Sequence, residues 1–256
     1  MVTLTDALKV RSLFLIFEVV KLAKGLFMRQ IDFEHLKQEF DRDGFIILKG
    51  YLSKADTAEM REHLDNYLTH SGPLHHKDHP AGSYKGLDKH HTWFQDYIER
   101  GPHIPLMKHL IEDDLAPDNV TWNDKPRGME RTLPHFDALG AYRMPPSGIS
   151  LWIAMDNIDK NNGCLCYEKG SHRKEYPMAY PLPNYDERNQ SVVFVEVSPG
   201  DAVIHSAKTV HWSREQVDFR PRNSLVYVYW GASSEIDPSR VKVSRSSAEY
   251  IAGKTI

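Results

Sequence analysis

The sequence predicts a mainly β protein with flanking α-helices, folded as a jelly roll (a double-stranded β-helix, cupin-like) in one domain over residues 31–256. Three observations lead there. Helical spacing of apolar residues is confined to the first part of the chain. After Asn119, short β-prone runs alternate with turn signals. No repeat, low-complexity tract or linker divides the chain, so helices packed outside a strand-rich body are the simplest layering.

The elements follow in order. Leu13 to Met28 is rich in apolar residues and is preceded by Lys9 and Arg11, the outline of a signal peptide. Glu18, Lys21 and Lys24 interrupt it, and no small-residue cleavage pattern follows. The run is too short and too charged to span a bilayer. Leu13, Ile16, Val20, Leu22 and Leu26 share one side of a helix, so residues 1–30 are expected to form an amphipathic helical extension that packs on the body or on a partner subunit. Asp32 caps a helix with the stripe Phe33, Leu36 and Phe40, ended at Gly44. A strand is expected over Phe45 to Leu52. Ser53 with Asp56 resembles a capping box and starts a second helix that turns Met60, Leu64, Tyr67 and Leu68 inward. His70 to Lys89, rich in His, Lys, Gly and Pro, reads as a long loop of the kind that serves as a lid. A helix follows over Ile104 to Ile111. Strands are then expected at Val120 to Trp122, Gly140 to Tyr142, Ile149 to Met155, Val192 to Val197, Ala202 to His205 and Leu225 to Trp230, with a turn at Ser198-Pro199-Gly200-Asp201.

Composition narrows the function. Over 256 residues, hydrophobic content is 41% and charged content 26%, ordinary values for a globular chain able to bury one core. The net charge of −3 carries no long run of one sign, which argues against a nucleic-acid surface. Cys164 and Cys166, two apart on one strand, sit near the upper limit for bridging, so two reduced thiols and a cytoplasmic location are expected. Fourteen histidines hint at metal or proton chemistry without deciding it.

An iron(II) centre of the two-histidine, one-carboxylate kind needs two neutral imidazoles and an acid on one face of the ion, with the opposite face open. An H-x-D pair at a strand end delivers both side chains to the same side. Three such pairs occur: His63/Asp65, His76/Asp78 and His135/Asp137. The first lies in the second helix, where residues two apart diverge, and the second lies in the polar loop. The third stands between strands and is preferred. His211 lies 76 residues beyond His135, enough chain for several strands to return to the same mouth. Arg222, about one hairpin further on, can point into the barrel, where its planar fork suits a carboxylate such as the far end of 2-oxoglutarate. Arg220 competes for that role, but Pro221 between them favours Arg222. The plainer reading of most other histidines is structural: His205 as a satisfied buried residue, His172 at a turn, and His75, His76, His79, His90 and His91 as solvated loop residues.

The stretch Leu133 to His172, which contains WIAMDNIDKNNGCLCYEKGSH, together with SPGDAVIH, HWS, RPR and the earlier DGFIILKGYL, resembles the phytanoyl-CoA dioxygenase family. The likeness runs from Phe33 to Trp230. It implies Fe(II), 2-oxoglutarate as cosubstrate and O2. It carries the metal ligands onto His135, Asp137 and His211, the 2-oxoglutarate arginine onto Arg222, and its hydroxyl partner onto Ser213. Trp152 falls where such enzymes place an aromatic residue beside the cosubstrate. The family's usual Gln inside H-x-D is Phe136 here, a position that points away from the metal. Some relatives have a further Lys or Tyr contact to the cosubstrate, for which Lys85, Lys89, Lys125 and Tyr142 compete. Related halogenases replace the ligand Asp by a small residue; Asp137 fills that place, so the resemblance implies hydroxylation of a small molecule. Cyclisation, desaturation and epimerisation share the same ligands, and a non-catalytic cupin-like binding protein is the third reading. The polar His/Lys loop favours a polar or anionic substrate, with Arg143, Lys85 and Lys89 as first contacts.

Overall fold

The computed structural model describes residues 32–70, 82–139 and 143–237. The expected extension over residues 1–30, the His76/Asp78 pair, the strand at Gly140 to Tyr142 and the candidate Tyr142 lie outside the described residues. Asp32 caps α1 (Phe33–Asp43) by accepting from His35 N at 3.0 Å, and Gly44 closes it with φ +83°, its N–H reaching Phe40 O. That turn is also tight: a Cβ at Gly44 would run into the His172 ring, so the glycine is needed on both counts. Ser53 Oγ accepts from Asp56 N and donates to its carboxylate, starting α2 (Lys54–His70) as the spacing predicts.

Two expectations change here. The strand β1 (Phe45–Leu48) stops four residues short of Leu52, because Gly50 N turns onto the Asp201 carboxylate instead of a ladder partner. The loop from His70 to Lys89 contains a strand, β2 (Ser83–Lys85), and leads into a short helix, α3 (Leu87–His90). Neither has a strong local signal; β2 exists by pairing along its neighbour β3 (Leu115–Asp124). The helices α4 (Thr92–Arg100) and α5 (Ile104–Ile111) follow.

The remaining strands are β4 (Thr132–His135), β5 (Arg143–Met144), β6 (Ile149–Ala154), β7 (Leu165–Glu168), β8 (Val192–Val195), β9 (Ala202–Ser206), β10 (His211–Ser213), β11 (Asn223–Gly231) and β12 (Glu235–Ile236). They form a six-stranded sheet ordered β1-β9-β6-β11-β3-β2, a four-stranded sheet ordered β4-β10-β7-β8, and the small pair β12-β5, every pairing antiparallel. This is the predicted jelly roll.

The larger sheet is covered on both faces, and strand alternation sorts its residues. Ile149, Leu151 and Ile153 of β6, with Leu225, Tyr227 and Tyr229 of β11, pack outward under the helices against Met60, Leu64, Phe94 and Met107. Trp152 and Ala154, Val203 of β9 and Val226 of β11 pack inward towards the smaller sheet. Burial on both faces explains why β6 reads as an unbroken apolar run apart from Ser150.

The outer layer holds a buried polar cluster. His103 is fully buried, with Nε2 2.5 Å from Tyr229 Oη and Nδ1 3.4 Å from Tyr51 Oη. Tyr229 donates to Ile98 O, so His103 Nε2–H donates to Tyr229 and the ring stays neutral. Its other ring neighbours, Tyr97 and Tyr227, are neutral too, and burial pushes the imidazole down to about 3. Between about pH 6.5 and 3 the unfolded chain therefore binds a proton that the native chain refuses, and stability falls with falling pH by about 1.4 kcal/mol per unit from this group. His103→Gln is expected to remove that component: the loss of unfolding free energy from pH 7 to pH 5, read by denaturant titration, shrinks by about 2 kcal/mol relative to wild type. An unchanged loss rejects it.

Candidate metal centre

Register builds the site. On the smaller sheet His211 pairs with both His135 and Tyr167, giving a row Tyr167–His211–His135 across three strands. On the larger sheet Phe45 pairs with His205, and His205 with Ser150, giving the row Phe45–His205–Ser150. Asp137, in the turn just after β4, sits between the two rows. The ligand atoms of His135, Asp137 and His211 all lie within 4.8 Å of one another, the sole such group of three or more among the described residues.

The histidine tautomers follow from their partners. His135 Nδ1 lies 2.8 Å from Leu133 O and His211 Nδ1 lies 3.0 Å from Thr209 O. A carbonyl only accepts, so both rings carry the proton on Nδ1 and present a bare Nε2 to the cavity. Burial, with His135 close by, pushes His211 down to about 3, in keeping with a neutral ring. Burial alone would raise the Asp137 carboxyl, but the surrounding imidazoles of His211, His205 and His135 outweigh it and hold it below the usual carboxylate range. Two neutral nitrogens and one carboxylate are a donor set that fits iron(II), and three protein donors leave positions for other ligands.

Beside this triad lies a second, positive group. Arg222 is 3% exposed and precedes the inward residues Ser224 and Val226. Its Nε donates to Gly163 O (3.1 Å), its Nη1 to Ser224 Oγ (2.9 Å), and its guanidinium lies 5.3 Å from the centre of the Trp152 ring. Lys125 is 5% exposed, and its Nζ donates to Glu130 O and, at 3.2 Å, to Ser213 Oγ. Ser213 donates on to Thr132 Oγ1 at 2.9 Å and lies two residues beyond His211, on the same strand face. Burial and then the Arg222 charge lower Lys125 to about 8; burial lowers Arg222 to about 10. Two adjacent buried cations whose hydrogen-bond partners are neutral oxygens are built to receive an anion. Two imidazoles and a carboxylate by themselves also suit zinc. The buried cation pair next to them is what points to an acidic cosubstrate.

The other predicted residues distribute plainly. Arg220 turns outward to Asp159 and Asp218. Lys85 and Lys89 are exposed, and Arg143 lies on the small β5–β12 pair. Phe136 packs towards Tyr176, and His63 stacks on Trp93. His172 bonds to Asp41 O. Cys164 and Cys166 are free, buried thiols. Among the described residues no helix is long and apolar enough to cross a membrane.

Four residues of the site were not singled out from the sequence or not resolved there. His205 reaches Asp137 Oδ2 with Nε2 at 3.1 Å, Tyr167 bonds to His205, and Ser150 Oγ lies 3.4 Å from the same carboxylate oxygen. Among the described cosubstrate candidates Lys85, Lys89 and Lys125, Lys125 is the one buried beside Arg222. The available signal was strand period: Val203 and His205 share a face, as do Ser150 and Trp152, and carrying the β3 alternation past Asp124 puts Lys125 with Thr121 and Asn123.

Comparison with known proteins gives a consistent picture. A family model described as Phytanoyl-CoA dioxygenase matches residues 40–223. Phytanoyl-CoA dioxygenase 1 of Oryza sativa subsp. japonica is 32% identical over 104 residues, covering 36% of this chain and 36% of that protein. The peroxisomal phytanoyl-CoA dioxygenase of Bos taurus is 24% identical over 213 residues, covering 68% and 61%. The chain thus spans 36–61% of the length of the first curated relatives it matches. Among solved structures, the epimerase SnoN, in complex with Fe3+, alpha ketoglutarate and nogalamycin RO, superimposes with a TM-score of 0.70 at 22% identity over 81% of this chain and 86% of that one. EctD from S. alaskensis, with 2-oxoglutarate and 5-hydroxyectoine, gives 0.67 at 20% identity over 78% and 76%. These likenesses establish the shared fold.

Proposed function

The chain belongs to the phytanoyl-CoA dioxygenase family, and from that premise we propose that it is an iron(II)- and 2-oxoglutarate-dependent oxygenase that hydroxylates an unactivated C–H bond of a small molecule, releasing succinate and carbon dioxide. The observation that carries this reading is the joint arrangement of two bare imidazole nitrogens and a carboxylate beside a buried Arg–Lys pair. His135, Asp137 and His211 hold the iron. Arg222 grips the far carboxylate of 2-oxoglutarate through its guanidinium fork, with Lys125 and Ser213 beside it and the Trp152 ring bounding the cavity. Iron bound there, with 2-oxoglutarate and O2, supplies the oxidising chemistry, one oxygen atom ending in the product and one in succinate. The protein orients the substrate C–H bond and, through the packed barrel interior, keeps bulk water out. A small-molecule substrate is supported by the compounds named with SnoN and EctD.

The test is succinate release from 2-oxoglutarate by protein loaded anaerobically with Fe(II) and then exposed to air with a panel of small metabolites. Release is expected to stop on chelation and to return with Fe(II) but not with Zn(II). Iron-loaded protein giving no succinate with any compound sinks the reading. Product mass then separates outcomes: hydroxylation adds one oxygen, cyclisation or desaturation removes two hydrogens, and epimerisation, the activity named for SnoN, leaves mass unchanged.

A further inference from the structure

Three histidines border the metal cavity, yet they differ in what meets Nδ1. At His135 and His211 it is a backbone carbonyl, which forces the proton onto Nδ1 and frees Nε2 as a ligand. At His205 it is the hydroxyl of Tyr167, 3.0 Å away, while Nε2 faces Asp137 Oδ2 at 3.1 Å. An ionised carboxylate only accepts, so His205 must carry its proton on Nε2. In that tautomer Nδ1 accepts and Tyr167 donates. The chain of donors runs one way, Tyr167 to His205 to Asp137.

Resting on the iron-site reading above, we propose that Tyr167 and His205 are positioning residues: they hold Asp137 to the metal through Oδ1 alone and keep His205 from becoming a fourth protein ligand. Oδ1 is the oxygen that faces His211 Nε2, at 3.7 Å. Oδ2 is occupied by His205 and approached by Ser150, which are cross-strand partners on the larger sheet, so the two donors are set by one register. The His205 ring centre is only 4.8 Å from that of His211. Were its proton on Nδ1, a third bare imidazole nitrogen would stand at the edge of the same cavity and take a position that cosubstrate or oxygen needs. The Asp137 carboxylate opposes that tautomer because it needs a proton at Nε2, and Tyr167 reinforces the opposite one by donating to Nδ1. The tyrosine is fully buried, stacked on Phe45 at 4.6 Å and on His211 at 5.6 Å, so the surrounding rings leave it a fixed place beside His205. Burial also keeps its phenol protonated well beyond the ordinary range, as a donor must be. A hydroxyl at Nδ1 together with a carboxylate at Nε2, in place of a backbone carbonyl at Nδ1, thus separates the non-ligand histidine from the two ligands.

The experiment uses Co(II), whose visible absorption reports ligand number and type, on the full chain with each variant's melting temperature in hand. Tyr167→Phe removes the donor at Nδ1, so that the Asp137 carboxylate alone opposes capture of the ring by the metal. The variant is expected to change the Co(II) spectrum towards one more nitrogen ligand and to weaken 2-oxoglutarate binding about 10- to 100-fold, the range for partners one step removed from a metal. His205→Gln keeps an amide donor for Oδ2 and is expected to look like wild type, alone or combined with Tyr167→Phe. His205→Leu loses the donor and is expected to weaken Co(II) binding by a similar factor. In wild type loaded with Zn(II), histidine-labelled NMR is expected to show, among the three rings that border the site, Nε2 protonation at His205 and Nδ1 protonation at His135 and His211, a reading that needs no variant to fold. A wild-type spectrum and cosubstrate affinity in Tyr167→Phe, equal behaviour of His205→Gln and His205→Leu, or an Nδ1–H tautomer at His205 overturns the proposal while leaving the site intact. A wild-type chain that binds no Co(II), or binds it equally after His135→Ala, overturns the site itself and the proposal with it.

Discussion

Asp137→Ala is expected to abolish iron retention and turnover together. The substitution removes the one anionic donor and leaves His135 and His211 to face a dication with two neutral nitrogens. It also strands the His205 Nε2–H and the Ser150 hydroxyl, whose acceptor was Oδ2, so polar groups lose a partner in the cavity interior. Partners one step outside a metal site already cost up to about 100-fold in affinity, and loss of a ligand exceeds that. Metal content after gel filtration and succinate release are the two measurements. His135→Ala behaves alike, whereas Phe136→Ala, whose ring packs towards Tyr176, keeps its iron. Stoichiometric iron in Asp137→Ala refutes the ligand assignment.

Arg222→Gln carries the second large effect, and on a different quantity. A guanidinium that donates two charge-assisted hydrogen bonds to a carboxylate contributes roughly 1.5–3 kcal/mol for each. Losing both raises the KM for 2-oxoglutarate on the order of 100-fold or more. The interaction is made in ground and transition states alike, so kcat at saturating cosubstrate falls far less. The internal control is Arg220→Gln two residues away. That side chain is engaged with Asp159 and Asp218 at the surface, and its loss is expected to leave the KM within about twofold, since exposed ion pairs contribute about 0–1 kcal/mol. A larger KM effect from Arg220 than from Arg222 reverses the assignment.

The legible part of the molecule was the part with strong period or strong caps. The Asp32 and Ser53 caps, the helix over Ile104 to Ile111 and the strands centred on Ile149 to Ala154 and Leu225 to Trp230 all carry local signals that survive into the structure. α4 has no counterpart in the sequence reading although Trp93, Phe94, Tyr97 and Ile98 lie at helical spacing; it is nine residues long and rich in aromatic residues of modest helix propensity. β7 and β10 span four and three residues, too few for a period of two to declare itself, and they exist because neighbouring strands pair with them. Within the site, the triad and Arg222 stand out because residue type and spacing agree. His205 and Lys125 do not: one looks like any buried histidine, the other like any lysine in a polar loop. What distinguishes them is the neighbour across the barrel, a tertiary fact.

The cross-strand pairing of His135 with His211 has a consequence for assembly of the fold. β4 is an edge strand, attached to β10 by only two residue pairs, His211↔His135 and Ser213↔Thr132, with an irregularity between them. Sliding β4 by one residue would swing its imidazole to the opposite side of the sheet. A cation bound at the triad therefore acts as a proofreader and a stitch at once: only the correctly aligned edge can load it, and once loaded it fastens a seam held by two residue pairs.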